Sequence, residues 1–226
     1  MAGRQMRYEL KYIISRPLAT FLSGELKKYM RLDPHAREDG SYFIRSLYFD
    51  DMCASAYRDK LDGVEKRAKY RIRYYNNDPS FVSFEKKEKI RDMTCKTACR
   101  ISAEEAHRMA ELAEVPDRDD ALLREFRAAC MAGFRARVIV DYDRYIFIHP
   151  VGNTRITLDL DVRTTPFETD LFARDLASLP VLSPGEAILE VKYTDVFPTH
   201  IGRILETYPK DRSAVSKYCR CLSVIE

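Results

Sequence analysis

Lysine, arginine and carboxylate side chains recur at every second position in several short stretches of this 226-residue chain. The densest is Lys69-Tyr70-Arg71-Ile72-Arg73-Tyr74-Tyr75. As a strand it puts Lys69, Arg71 and Arg73 on one face and Tyr70, Ile72 and Tyr74 on the other. The same alternation groups Glu9 with Lys11, and Ser83 with Glu85, Lys87 and Lys89. It groups Arg155 with Thr157, Asp159 and Asp161, and Glu190 with Lys192. Arg144 shares a face with Val138, Val140, Tyr142 and Ile146. Gathered around one lumen, these faces supply many bases and a few acids. Guanidinium groups fork onto phosphate oxygens, and ammonium groups supply point charge. Phosphate repels a carboxylate unless a hard cation sits between them. The mixture therefore suits a polyanion chelated to a divalent metal. Solvated faces paired across strands as surface ion pairs would give the same alternation in any one strand. Its recurrence in strand after strand favours a shared interior.

The elements that must position these residues follow from periodicity and turn signals. Strands are expected over 7–14, 42–49, 69–75, 81–89, 93–101, 136–148, 154–161 and 187–193. Gly152-Asn153 joins 136–148 to 154–161 as a hairpin, and Asn76-Asn77-Asp78-Pro79 turns the chain after the central strand. Pro17 suits the first turn of a helix running to about Leu32, with Leu18, Phe21, Leu22 and Leu26 toward the core. A short helix carries Ala54, Tyr57 and Leu61 and ends at Gly63. Ser102 and Glu105 form a capping box opening a helix to Leu112, and a second helix spans 120–132. Residues 162–186 are mixed and leave room for one short helix. Helices follow from Pro198 to about Tyr208 and over 212–223. The expected fold is α+β, one domain over 1–226: an antiparallel sheet closed into a barrel, with a charged lumen and helices packed outside on an apolar exterior.

Composition narrows the function classes. Hydrophobic residues make up 46% of the chain, enough for a real core, and the net charge is only +3. That balance argues against a nucleic-acid partner. No run approaches the roughly 18–20 apolar residues of a membrane span, and charged residues interrupt any N-terminal apolar run, so the expectation is a cytoplasmic protein without an integral membrane segment. The six scattered cysteines lack paired zinc spacing, and the four histidines lack an i, i+4 pair. No phosphate loop, dinucleotide glycine fingerprint or nucleophile elbow is present. With eight glycines in the whole chain, side chains rather than a backbone cradle must do the binding.

Several short blocks follow one another along the chain. They are Glu9-Leu-Lys11-Tyr12, Arg45-Ser-Leu-Tyr-Phe-Asp50, Lys69-Tyr-Arg-Ile-Arg73-Tyr74 and Phe84-Glu85-Lys86-Lys87, then Tyr142-Asp-Arg144, Arg155-Ile-Thr-Leu-Asp159, Leu189-Glu190-Val-Lys192-Tyr193 and Ser216-Lys217-Tyr218. Over residues 7–222 the chain resembles the VTC domain, the polyphosphate polymerase domain of the CYTH-like triphosphate tunnel metalloenzymes, in its short stand-alone bacterial type. The resemblance implies an antiparallel tunnel that binds ATP or another triphosphate with Mn²⁺ or Mg²⁺. It also implies transfer of the γ-phosphoryl group to growing inorganic polyphosphate. By position, Lys11, Arg71, Arg73, Lys87, Arg144 and Arg155 would grip phosphate as the catalytic set. Lys96, Tyr142, Ser216 and Lys217 would add phosphate contacts, and Glu190 would hold the metal. One departure stands out: the family pattern has a lysine two residues before the serine, where this chain has Ala214. A tunnel triphosphatase and a non-catalytic polyphosphate or polyanion binder remain the alternatives.

Overall fold

The computed structural model describes residues 8–91, 93–206, 211–212 and 215–224, with backbone alone at 211–212. Its strands are β1 (Tyr8–Ser15), β2 (Arg31–Leu32), β3 (Ser41–Asp50), β4 (Lys66–Tyr75), β5 (Asp78–Ile90), β6 (Met93–Ile101), β7 (Arg135–His149), β8 (Thr154–Pro166), β9 (Leu179–Pro180), β10 (Glu186–Tyr193) and β11 (Asp211–Arg212). Its helices are α1 (Arg16–Leu26), α2 (Ser55–Leu61), α3 (Ala103–Glu111), α4 (Ala121–Met131), α5 (Thr199–Glu206) and α6 (Lys217–Leu222). The strands form one antiparallel sheet in the order β11-β1-β10-β8-β7-β3-β4-β5-β6, with β2 added to β7 and β9 to β8.

Local chemistry fixes the hairpins. Asn76 and Asn77 both adopt positive φ between Tyr75 and Asp78, as a tight two-residue β4–β5 turn requires. Gly152, at φ 61°, turns β7 into β8, where a Cβ would stand 1.9 Å from the Val196 carbonyl oxygen. The Ser102 capping box forms as its sequence predicts, and Asp120 caps α4 through the amides of Leu122 and Leu123.

The sheet curls until β1 and β6 approach each other. Among the described residues no hydrogen-bonded ladder joins them, so the expected closed barrel becomes a curled sheet with an open seam. Part of the reason is that the outer edge of β1 is already used: Tyr12 and Ile13 pair with Arg212 and Asp211 of β11. Side chains bridge the curl instead, with Lys87 Nζ of β5 at 2.8 Å from Glu9 Oε1 of β1.

Outside, two apolar cores match the expectation of a helix-covered exterior. On one side Leu47, Phe49, Ile72 and Phe84 pack against Met109 of α3 and Phe126 of α4. On the other, Phe147, Ile156 and Leu189 pack against Leu22 and Leu26 of α1 and Ile201 of α5. Inside, the lumen is charged over only part of its length. Val138, Val140, Val162 and Ile188 form an apolar floor with Tyr218, Cys221 and Leu222 of α6. The sheet is therefore plugged by a helix packed within it as well as covered by helices outside it.

Other boundaries shift for local reasons. Helix α1 stops at Leu26 because Arg31 and Leu32 pair with β7, and Phe21 is exposed rather than core. No helix forms between Phe167 and Gly185. Ser216 precedes α6 as its cap, so the terminal helix is far shorter than 212–223. Tyr208, the expected end of the preceding helix, lies outside the described residues. A bulge with Asp161 at φ 50° inverts the alternation of β8. Val162 then faces inward, while Asp161 pairs outside with Arg16 at 2.7 Å. The cysteines are free, and all but Cys53 and Cys99 are buried. No helix among the described residues is long and apolar enough to cross a membrane.

Candidate functional site

The inner faces of β1, β3, β4, β5, β7 and β10, together with the start of α6, enclose a cavity of about 110 Å³. Eight of its thirteen lining residues are Lys or Arg, and the single lining carboxylate is Glu190, so the space is strongly electropositive. Strand register explains the convergence. Glu190 stands opposite Lys11 of β1 on one side and Thr157 of β8 on the other. Lys69 stands opposite Lys87, and Arg71 opposite Glu85.

Glu190 is 3% exposed and meets three cations: Lys192 Nζ at 2.9 Å, Lys11 Nζ at 3.4 Å and Arg144 Nη2 at 3.5 Å. Burial alone would raise its pKa. Lys192 and Lys11 more than offset burial and hold the carboxyl well below the usual carboxylate range. Asp159 is fully buried, and Arg144 Nη2 donates to it at 2.7 Å while Lys217 also pairs with it. Against burial, Arg144 and Lys217 keep its pKa down at about 2. Behind the opposite wall, Glu85 receives Arg71 Nε at 2.8 Å and Lys96 Nζ at 3.0 Å. Burial again acts upward, and the neighbouring arginines overcome it.

The remaining cations are aimed by hydroxyls and rings. Arg71 donates to the Tyr48 hydroxyl at 2.9 Å. Arg73 donates to Ser46 Oγ and to the Tyr142 hydroxyl, both at 2.9 Å. The ring of Tyr142 is flanked by Lys217 Nζ at 4.7 Å and the Arg144 guanidinium at 5.1 Å. Lys87 is pushed down to about 7 by burial and by the charge of Lys11, despite its pairing with Glu9. Ser216 caps α6 by accepting from the Cys219 amide.

Of the residues singled out from sequence, Lys11, Arg71, Arg73, Lys87, Tyr142, Arg144, Glu190, Ser216 and Lys217 line this one cavity. Arg155 and Lys96 do not. Arg155 Nη2 is held by Asp33 at 3.3 Å, and Lys96 lies behind Glu85 with a half-exposed side chain. Ala214 falls outside the described residues. Lys69 and Lys192 also line the cavity; alternation put both on the polar faces, but the matched motif assigned neither a role. Tyr48 and Tyr218 were missed, because a buried aromatic carries no charge pattern to betray it.

The carboxylates also test whether a metal fits. Among the described residues no three Asp, Glu, His or Cys side chains converge as a ready-made ligand cluster. Glu190 and Glu9 do come together around Lys11 Nζ, at 3.4 and 3.0 Å. A hard divalent cation such as Mg²⁺ takes one or two carboxylates and completes its shell with phosphate oxygens and water. These two carboxylates are the residues that would hold a cation arriving with phosphate, and of the two only Glu190 lines the cavity.

Comparison with known proteins places the chain. No curated protein matches it. A candidate adenylate cyclase from Bacillus halodurans superposes with a TM-score of 0.59 at 15% identity, over 95% of each chain. A chain of the Schizosaccharomyces pombe Mediator head module superposes with a TM-score of 0.50 at 9% identity, over 92% of this chain and 97% of that one. At such identities the likeness is one of fold. The model of the VTC domain matches residues 6–225, and the chain belongs to the VTC-domain family.

Proposed function

We propose that the cavity binds the phosphates of ATP together with Mn²⁺ or Mg²⁺, and that the protein transfers the γ-phosphoryl group to growing inorganic polyphosphate. Membership of the VTC family supports a triphosphate-processing role. The observation that carries the reading is Glu190: the one lining carboxylate, buried, in a cavity where eight of thirteen lining residues are Lys or Arg. A site evolved only to hold an anion gains nothing from that carboxylate. A site for phosphate with its cation needs it.

The chain's own residues do most of the work. Arg71, Arg73 and Arg144 are pre-aimed by Tyr48, Ser46, Tyr142 and Asp159, so they meet developing phosphoryl charge without first reorganising. Lys11, Lys192 and Lys217 add point charge around the same space. A bound divalent cation would supply charge neutralisation between the phosphate oxygens and Glu190. Phosphoryl transfer is chiefly positioning and electrostatics, and the acceptor, a terminal phosphate oxygen, is already ionised. No protein nucleophile is needed. With water as acceptor the same site would hydrolyse triphosphate.

The test is incubation of purified protein with ATP and Mn²⁺, followed on a polyphosphate gel with phosphate release measured in parallel. A ladder of chains that vanishes in Glu190→Gln is the expected result. Phosphate without chains would make the protein a triphosphatase. Neither product, with saturable triphosphate binding, would make it a polyanion binder.

A further inference from the structure

The lumen cations are not equally neutralised. Lys11 has Glu9 and Glu190, Lys87 has Glu9, Lys192 has Glu190, and Lys217 has Asp159. Arg71 has Glu85, and Arg144 has Asp159 and Glu190. Lys69 differs. Its Nζ donates to Ser216 Oγ at 3.0 Å and to Cys219 Sγ at 3.0 Å, and lies 4.7 Å from the centre of the Tyr218 ring. Among the described residues no carboxylate comes within ion-pair distance of it. The lysine is nonetheless part of the cavity wall.

Hydroxyl, thiol and ring face are weak compensation for a desolvated ammonium. The cost shows in the direction of its titration: burial pulls the Lys69 pKa below the ordinary lysine value, and the nearby thiol only partly opposes this. Of its neighbours, Tyr48 comes from β3, Lys11 from β1, Lys87 from β5, and Ser216, Tyr218 and Cys219 from the α6 segment. The only charged groups among them are further cations. An arriving anion would therefore gain more at Lys69 than at any lysine already paired with a carboxylate.

We propose that Lys69 is a further binding point for a phosphate oxyanion, next to the Ser216 hydroxyl already expected to contact phosphate, and that it ties the bound phosphate chain to the start of α6. This rests on reading the cavity as a phosphate-chain site. Lys69 touches ligand in this account, and Ser216 supplies a second donor once Lys69 turns from it toward the anion.

Calorimetry with inorganic triphosphate tests it, on wild type, Lys69→Met and Lys69→Arg, with a thermal melt of each. Loss of one charge-assisted contact corresponds to roughly 10- to 100-fold in Kd for Lys69→Met. Lys69→Arg should stay within about fivefold of wild type, because the charge is kept. Lys69→Met should melt no lower than wild type, since it removes a buried, uncompensated charge. Wild-type affinity in Lys69→Met would overturn the proposal while leaving the cavity reading intact. A lower melting temperature with unchanged Kd would make Lys69 structural and also overturn it. Absence of triphosphate binding by wild type would overturn both readings. A melt-neutral loss of affinity restored by arginine is the supporting result.

Discussion

Two carboxylates, on opposite sides of the curled sheet, have similar burial and similar company but different places. Glu85 on β5 is 1% exposed and pairs with Arg71 and Lys96, yet it is not part of the cavity wall. Glu190 on β10 is 3% exposed, pairs with Lys192, Lys11 and Arg144, and faces the space directly. An acid behind a cation fixes where that cation points. An acid in front of cations changes what the cavity can accept. Glu85 is thus an orienting residue and Glu190 a candidate ligand, a distinction that neither residue type nor burial could make.

The contrast breaks most sharply on turnover. Glu190→Gln should lower metal-dependent ATP turnover by roughly 10²–10³-fold, the scale for removing one electrostatic partner of a reacting centre. A smaller loss there than in Glu85→Gln would reverse the two assignments. Next comes Arg71→Ala, expected to weaken triphosphate binding by about 10- to 100-fold by calorimetry. Arg155→Ala, whose guanidinium is engaged by Asp33 outside the cavity, should change it by less than about threefold. Equal losses in the two would show that Arg155 leaves Asp33 for the ligand. Glu85→Gln should lower kcat about tenfold with little change in KM, because Arg71 keeps its charge and loses its aim.

Smaller effects come from pH. Lys87, with its pKa near 7, carries its charge below neutrality and loses it above. Triphosphate affinity should therefore fall by roughly tenfold between pH 6 and pH 8 beyond the ligand's own titration. Lys87→Met should remove that excess slope. For stability the sign runs the other way. Glu85, Glu190 and Asp159 all titrate below ordinary carboxylates, so their contribution is fully present above about pH 4 and is lost as pH falls toward 2. Asp159 alone accounts for about 2 kcal/mol of that loss. A melting temperature already declining between pH 6 and pH 5 would contradict the pairing seen on both walls.

The sequence made the walls legible because alternation is a property of single strands. Glu9 with Lys11, Lys69 with Arg71 and Arg73, and Glu190 with Lys192 all share the inner face they were expected to share. Height along a strand is another matter. Arg155 has the correct parity and the wrong level, because level depends on register with β7 and β10. Asp161 has the wrong parity because a bulge inverts β8 after Leu160. The apolar floor was also written on an inner face, in Val138 and Val140 beside Tyr142 and Arg144. Its meaning depended on α6 folding back inside the sheet, a long-range contact that local periodicity does not encode. Lys69 needed the same contact, since Ser216 and Cys219 reach it from about 150 residues away.

The open seam between β1 and β6 has a mechanical consequence. A fully hydrogen-bonded barrel has its circumference set by strand number and shear. Here one segment of the circumference is spanned by side chains, with Glu9 and Lys87 as a clasp. Hydrogen-bonded ladders are indifferent to modest salt, whereas a partly exposed ion pair weakens as ionic strength rises. The width of the curled sheet along that line is thus set by side chains, and salt acts on it there rather than along the ladders.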